Sequence, residues 1–542
     1  MQSFAALLDR LILTPGRNGK IATLKAYFAE TPDPARGWAL AAIAGDLDIS
    51  SVKPAMLRAS VEARMDPQLF RLSYDYVGDM AETISLVWPE KPGANRVPPL
   101  NEIVETLQAA TRAQGPKLVE GWLDALPVEG RWALIKLVTG GLRIGVSARL
   151  VKQAAADFGG VPVTEIEEIW HGLEPPYSDL FEWLDGRGEK PSPDLRAPFR
   201  PVMLAHALVP KSKREDSDAV DTGLIEPNTF AAEWKWDGVR VQAAAEGETR
   251  RIYTRTGDDI SHTFPDVVAA LTFDAAIDGE LLVRTPEGAV APFNDLQQRL
   301  NRKTVTAKQM AARPAFIRAY DLLQEGDKDL RSLPFAERRK RLERFVVTLG
   351  SDRIDLSPLV PFSSAEELDA VRAHPPTPEI EGVMLKRWDA PYKAGRPKGP
   401  WFKWKRDPFL IDAVLMYAQR GHGKRSSYYS DFTFGVWRTK DKGDELAPVG
   451  KAYFGFTDDE LKQLDKFVRD NTVDTFGPVR AVAATKTSGL VLEVAFEGLH
   501  RSPRHKSGVA MRFPRIHRIR WDKPTAEADR IEALEALLPP SA

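Results

Sequence analysis

The stretch AAEWKWDGVR (231–240) sets an amine, Lys235, between two tryptophans, with Asp237, Gly238 and Arg240 close behind. A lysine is a nucleophile only when neutral, and its ordinary pKa is about 10.4. Apolar neighbours and a nearby cation both disfavour the ammonium form. Trp234 and Trp236 could supply the first effect by closing over the amine, although strand alternation could turn them to the opposite face. Arg240, or a bound metal, could supply the second. Gly238 permits a tight turn beside a ligand. The same residues also fit an amphipathic strand ending in a turn, and the stretch alone leaves both readings open.

A second cluster lies near the C-terminus. In HRSPRHKSGVAMRFPRIHRIRWDK (500–523) the cations Arg501, Arg504, Lys506, Arg512, Arg515, Arg518, Arg520 and Lys523 meet a single acid, Asp522. The chain as a whole has a net charge of −1. A local basic surface on a neutral protein suggests a directed polyanion site, and a solvated basic strand pair is the competing reading. GHGKRSS (421–427) hints at a phosphate loop, but Arg425 stands where a Walker motif needs Ser or Thr. There are no cysteines, which excludes disulfides, thiolate zinc sites and cysteine nucleophiles. The eight histidines show no HExxH spacing, so no structural zinc is expected.

The elements that must position these groups change along the chain. Hydrophobic residues make up 43% and charged residues 28%, with no apolar run long enough to span a membrane. MQSFAALLDRLILTPGR carries Asp9 and Arg10 inside its apolar stretch and reads as a helix, not a signal peptide. Residues 1 to about 200 read mostly as helices. In RWALIKLVTGGLRIGVSARLVKQAAADFG (131–159), Trp132, Ile135 and Val138 keep helical spacing, Gly140 and Gly141 break it, and Ser147 can cap a second helix from Ala148. KSKREDSDAVDTG (211–223) reads as a linker or exposed loop. Strand signals follow in RVQAAA, RIYTRT, AIDGELLVR, AFIRAYDLL and EGVMLKRW, with a helix in PFAERRKRLERFV. After KWKRDP (403–408), the segments IDAVLMYAQ, DFTFGVW, KAYFGF, LVLEVAFEGL and HRIRW suit a small β-barrel, and AEADRIEALEALL a short helix.

The Lys235 segment resembles motif I of the covalent nucleotidyltransferases, which comprise DNA ligases, RNA ligases and mRNA capping enzymes. Further segments resemble the family's other motifs in the family's order: TRTGDD with Arg255, IDGELL with Glu280, AYDLL with Tyr320, EGVMLK with Glu381 and Lys386, WFKWK with Lys403 and Lys405, and RFPRIHRIRWDK with Arg520 and Lys523. Each piece alone fits an ordinary edge strand or turn. Their joint order from 235 to 523 does not fit accident. The resemblance implies that Lys235 attacks the α-phosphate of ATP. It also implies that Glu233 and Trp234 lie at the nucleotide, with Glu233 accepting from the adenine amino group. Tyr320 would stack on the purine, where the family often has phenylalanine. Arg240, Arg255, Arg396, Lys403, Lys405, Arg520 and Lys523 would hold sugar and phosphates. Glu280 and Glu381 are the carboxylates for Mg²⁺, with Mn²⁺ as a substitute. Arg396 is followed by Pro397, so its contact departs from the family pattern.

Residues 1–205 precede the catalytic part, and capping enzymes and small RNA ligases lack such a domain. LIKLVTGGLRIGV (134–146) and RPVMLAHAL (200–208) resemble the larger ATP-dependent DNA ligases. The implied fold is multidomain: an all-α DNA-binding domain (1–205), an α+β nucleotidyltransferase domain (206–405) and a C-terminal OB-fold barrel with a terminal helix (406–542). The implied partner is nicked duplex DNA, contacted by Arg143, Lys424, Arg425 and Arg512 mostly at phosphates. The motifs imply a hinge at KRDP. A monomeric, cytoplasmic, bacterial enzyme with a repair role is expected. An enzyme acting on RNA or hybrids, and a nick-binding protein without catalysis, are the alternatives; the latter would need a lost catalytic residue, and none is missing.

Overall fold

The computed structural model describes residues 1–77, 79–89, 91, 96–192, 196–208, 225–300, 302, 304–420, 428–441, 443–503 and 505–538. The chain forms two compact units. One comprises Met1–Val161, Pro175–Lys190 and Pro408–Ala542; the other comprises Pro162–Glu174 and Pro191–Asp407.

The second unit is built on two sheets. Alternation in RVQAAA and AIDGELLVR buries Val241, Ala243, Ile277 and Leu281 on one face of a six-stranded sheet, where Leu342 of the helix Phe335–Leu349 packs. Its strands run in the order Thr249–Thr254, Val239–Glu246, Ala275–Val283, Ala315–Glu325 and Lys328–Asp329, with Ile354–Leu356 parallel to Ala315–Glu325. The four-stranded sheet has the order His206–Ala207, Trp401–Lys405, Ile380–Arg387 and Phe230–Trp236. One of its faces buries Phe230, Ala232, Val383, Leu385 and Trp404 beneath Leu368 of the helix Ala365–Ala373. Its other face carries the polar residues of the site.

The packing of this unit reaches further back along the chain than a boundary at residue 205. Arg331 pairs with Glu168 at 3.1 Å. The His171 ring lies 5.0 Å from that of Tyr253, and Arg200 N–H donates to Gln242 at 2.6 Å. Residues 162–174 and 191–205, grouped with the helices on sequence, therefore pack with the sheets.

In the first unit, residues 1–161 are helical wherever they are regular among the described residues. The helix Val128–Thr139 ends at Gly140 in the left-handed conformation (φ 68°). Ser147 Oγ then accepts from Leu150 N–H at 3.2 Å and caps the helix Ala148–Gly159, as its sequence predicts. Residues 408–538 form a β-rich half-barrel: Gly443–Ala452, Tyr429–Lys440, Phe409–Arg420, Val479–Val482 and Thr472–Phe476 in order, with Val491–Phe496 joining Phe409–Arg420 to Arg515–Arg520. Thr457 and Glu460 make a capping box for the helix Asp458–Asn471, whose Leu461, Leu464 and Val468 enter the barrel core. KAYFGF is not the strand expected: pairing stops at Ala452, and the chain leaves the sheet through Gly455 (φ 101°) toward this helix. The terminal helix is short, Ile531–Glu535, with Leu534 buried. No helix among the described residues is long and apolar enough to cross a membrane.

Candidate active site

Strand register assembles the chemistry. Three cross-strand rows run over the four-stranded sheet: Lys235, Gly382 and Lys405; Glu233, Met384 and Lys403; Ala231, Lys386 and Trp401. Because side chains alternate, Glu233, Lys235, Met384, Lys386, Trp401, Lys403 and Lys405 share one face. They line a cleft of about 530 Å³, closed on other sides by Leu204, Arg240, Thr254, Arg255, Glu280, Tyr320 and Arg396 among others.

Two β-bulges aim the remaining groups. Lys235 pairs with Gly382 and Trp236 with Ile380, leaving Glu381 as the extra residue on its strand. Asp278 pairs with Asp321 and Gly279 with Ala319, leaving Tyr320 as the extra residue on its own. Bulged residues leave the alternation and can be turned toward a site. The Glu381 carboxylate accepts from Lys235 Nζ and lies 3.5 Å from Lys405 Nζ. Tyr320 borders the cleft, and its main-chain carbonyl accepts from Lys386 Nζ at 3.1 Å.

The field in the cleft is positive on one side. Lys403 is held below the usual lysine range by burial and then by Arg396, Lys235, Lys405 and Arg255, all cations. Such a cluster, with Glu381 the acid that pairs with two of these lysines, suits a bound polyphosphate. Burial, reinforced by the charge of Glu381, pushes Glu280 up to about 7 despite Lys235 and Arg240. For Glu381 the effect of burial is outweighed by Lys235 and Lys405, and its carboxyl stays below the usual range. Two carboxylates that raise each other's cost of ionisation, beside a phosphate site, fit a hard divalent cation completed by substrate oxygens. Among the described residues no group of three or more His, Cys, Asp or Glu side chains converges.

Several predicted residues behave differently from expectation. Trp234 borders the cleft, but its ring packs on the cluster of Phe230, Ala232 and Leu385 behind the strand. It does not close over Lys235, because alternation puts residues 234 and 235 on opposite faces. Trp236 lies under the Arg318 guanidinium, 4.3 Å from its ring. The amine therefore meets a carboxylate and not an aromatic cage. Arg240 is engaged elsewhere: it donates to the Met203 carbonyl at 2.5 Å, to Asp278 at 2.6 Å and to the Tyr392 hydroxyl at 3.1 Å. It fastens the segment before the first strand to the sheet and shapes the cleft wall.

Glu233 is buried, 3.1 Å from Lys386 Nζ and 3.4 Å from Arg339. Arg520 and Lys523 lie in the first unit, where both converge on Asp412 at 3.4 and 2.7 Å. Arg515 is 3.6 Å from Glu497, and His517 pairs with Glu493. The basic C-terminal run is thus partly neutralised by acids from distant segments. Arg512 sits on the hairpin Gly498–Arg501/Val509–Arg512, its guanidinium lowered by burial. Arg143 is exposed on the loop after Gly140 at φ 47°, and Lys20 Nζ braces that loop through the Ile144 carbonyl at 2.6 Å. Lys424 and Arg425 lie outside the described residues.

Sequence reasoning passed over Met384, Trp401, Asp278 and Arg339. Alternation from Glu280 would have placed Asp278 on the same face, and alternation from Lys403 would have placed Trp401 there. Nothing local marks Arg339.

Two family models match the chain: the ATP dependent DNA ligase domain over residues 210–405 and the ATP dependent DNA ligase C terminal region over 425–523. A probable DNA ligase of Koribacter versatilis is 32% identical over 429 residues, covering 74% of this chain and 71% of that protein. A DNA ligase of Natronomonas pharaonis is 32% identical over 457 residues, covering 80% and 77%. The solved structure Pmar-Lig_PreS3 superposes with a TM-score of 0.58 at 15% identity, covering 95% of this chain and 99% of that one, a likeness of fold. With both family models in chain order and relatives at this identity over most of their length, the chain belongs to the ATP-dependent DNA ligases.

Proposed function

We propose that Lys235 is the nucleophile of this DNA ligase and that the cleft around it is the adenylylation site. In the first step Lys235 Nζ forms a bond to the α-phosphorus of ATP, the bond to the β-phosphate bridging oxygen breaks, and pyrophosphate leaves. AMP then passes to the 5′-phosphate at a nick. The 3′-hydroxyl attacks that phosphate, and AMP departs. Glu233 accepts from the adenine amino group, Tyr320 stacks on the base, and Arg255 holds ribose. Trp234 contributes the wall behind the lysine strand and Arg240 the opposite wall. Arg396, Lys403 and Lys405 neutralise the phosphates, which two electron-rich partners require before they can join. Arg520 and Lys523 receive the pyrophosphate.

Glu280 and Glu381 would hold Mg²⁺ or Mn²⁺, which supplies Lewis-acid polarisation of the α-phosphate. The same Glu381 carboxylate pairs with Lys235, so engaging it at a cation would leave the amine unpaired from that acid.

We read the helices within residues 1–161 as DNA-binding, the sheet unit through residue 405 as the nucleotidyltransferase domain and residues 406–542 as an OB-fold domain, hinged at 405–408. The substrate is nicked duplex DNA, with Arg143, Lys424, Arg425 and Arg512 at its backbone, and the enzyme works as a cytoplasmic monomer. The observation that carries the reading is the row of Lys235, Gly382 and Lys405 with Glu381 bulged beside it. The test is sealing of a nicked duplex with ATP and Mg²⁺. The wild type joins the strands. Lys235→Ala does not join them from ATP, yet seals a nick whose 5′ end is already adenylated. Failure of the mutant on both substrates would refute a role confined to AMP transfer.

A further inference from the structure

The helix Phe335–Leu349 carries two adjacent arginines, Arg338 and Arg339, that a charged helix would ordinarily show to water. Both are buried. Arg339 is 4% exposed and meets Glu233, which lines the cleft. Its Nε donates to Glu343 at 2.7 Å and its Nη1 to the Ser357 carbonyl at 2.8 Å. Those two bonds fix the guanidinium independently of the cleft. The same Nη1 faces Glu233 Oε1 at 3.4 Å. The other oxygen of Glu233 accepts from Lys386 Nζ at 3.1 Å. The Glu233 backbone is pinned too, by a bridge to Leu359 and by Val360 N–H donating to the Ala232 carbonyl at 2.8 Å.

Glu233 thus stands as a carboxylate between two cations, one on each oxygen. A carboxylate can accept about four hydrogen bonds, so each oxygen keeps capacity toward the cleft. If Lys386 were the sole cation, Glu233 would be free to rotate onto it. A carboxylate rotated onto Lys386 would no longer present an oxygen to the base, and the site would lose the acceptor that favours an amino over a carbonyl group there.

We propose that Arg339 is a positioning residue for nucleobase selection: it fixes Glu233 as a pure acceptor, so that the site takes a 6-amino purine and rejects a 6-oxo purine. The inference rests on the reading that Glu233 meets the adenine amino group. Arg339 does not itself touch the base.

The test compares self-labelling of the full chain with α-labelled ATP and α-labelled ITP, whose bases differ at the 6-position. Rates are taken across nucleotide concentrations to separate KM from the maximal rate. The wild type should prefer ATP. Arg339→Met should shrink the ATP-to-ITP ratio by about tenfold or more, mainly by raising the KM for ATP, because a site built around a buried hydrogen-bonding group discriminates most strongly. Arg339→Lys should restore part of the ratio. Glu343→Gln, which loosens the Nε anchor at a partly exposed partner, should narrow the ratio in the same direction by less. If Arg339→Met does not fold, the lysine and Glu343 variants decide. Equal loss with both nucleotides and an unchanged ratio across these variants would overturn the proposal and leave Arg339 a structural ion-pair partner. A wild type without ATP preference would instead refute the placement of the base against Glu233.

Discussion

Lys403 sits among four other cations, and Glu381 pairs with two of them, Lys235 and Lys405. Its pKa lies below the unfolded value of about 10.4, so the folded chain holds that proton less tightly than the unfolded chain. Folding is therefore penalised near neutral pH, where the group is charged in both states, and the penalty fades as pH rises toward about 10.4. Lys403→Gln should melt roughly 1–3 °C above the wild type near neutral pH, with the gap closing at about pH 10. The same variant should lose label transfer by about a hundredfold, since a donor aimed at developing phosphate charge is removed. Pyrophosphate should raise the melting temperature of the wild type and do so less in the variant. A variant that melts lower at neutral pH would contradict the crowding of charge.

At the scale of strands and helices, the site depends on places where regular pairing is broken. Gly382 adopts φ 146° between the Lys235 and Lys405 strands, and a Cβ there would clash with the Trp404 carbonyl oxygen. Gly382→Ala should push the strand carrying Lys405 away from Lys235 and lower adenylylation far more than it lowers helix content by circular dichroism. The buried pair of Arg338 and Asp321, at 2.8 Å, holds the strand that bears Tyr320. Arg338→Ala should destabilise the unit by about 3–5 kcal/mol, and adding Asp321→Leu should recover part of that. Chemical denaturation of both variants checks this. The alternation that makes these strands is visible in the sequence, and so is the face Lys235 shares with Glu233. The bulges at Glu381 and Tyr320 are not, because a bulge is defined only against a partner strand. Trp234 was open for the same kind of reason: alternation says it opposes Lys235, and only the packing shows which face is the core. In PFAERRKRLERFV the run of charges hid two buried arginines, because Asp321 and Glu233, which they also meet, lie on distant strands. The C-terminal basic run looked unopposed because Asp412, Glu493 and Glu497 lie outside it.

Over the whole molecule, AMP transfer and DNA binding fall to different residues in the proposed function, and the two should separate experimentally. Binding that rests on phosphates should weaken with salt at a slope of about −0.9 per neutralised phosphate. Arg143→Ala should reduce that slope by about one contact and weaken nick sealing as salt rises, while self-adenylylation is unchanged. Loss of both activities in Arg143→Ala would show instead a disturbed fold. The reading as a whole turns on one bond, between Lys235 Nζ and the α-phosphorus of ATP. The most direct measurement strips the protein with pyrophosphate, incubates it with Mg²⁺ and α-labelled ATP or GTP, and runs a denaturing gel beside Lys235→Ala. Label from ATP that survives denaturation, maps to the peptide containing Lys235 and is absent from the mutant is the expected result. Label retained by Lys235→Ala, or no label on the stripped wild type, would contradict the account.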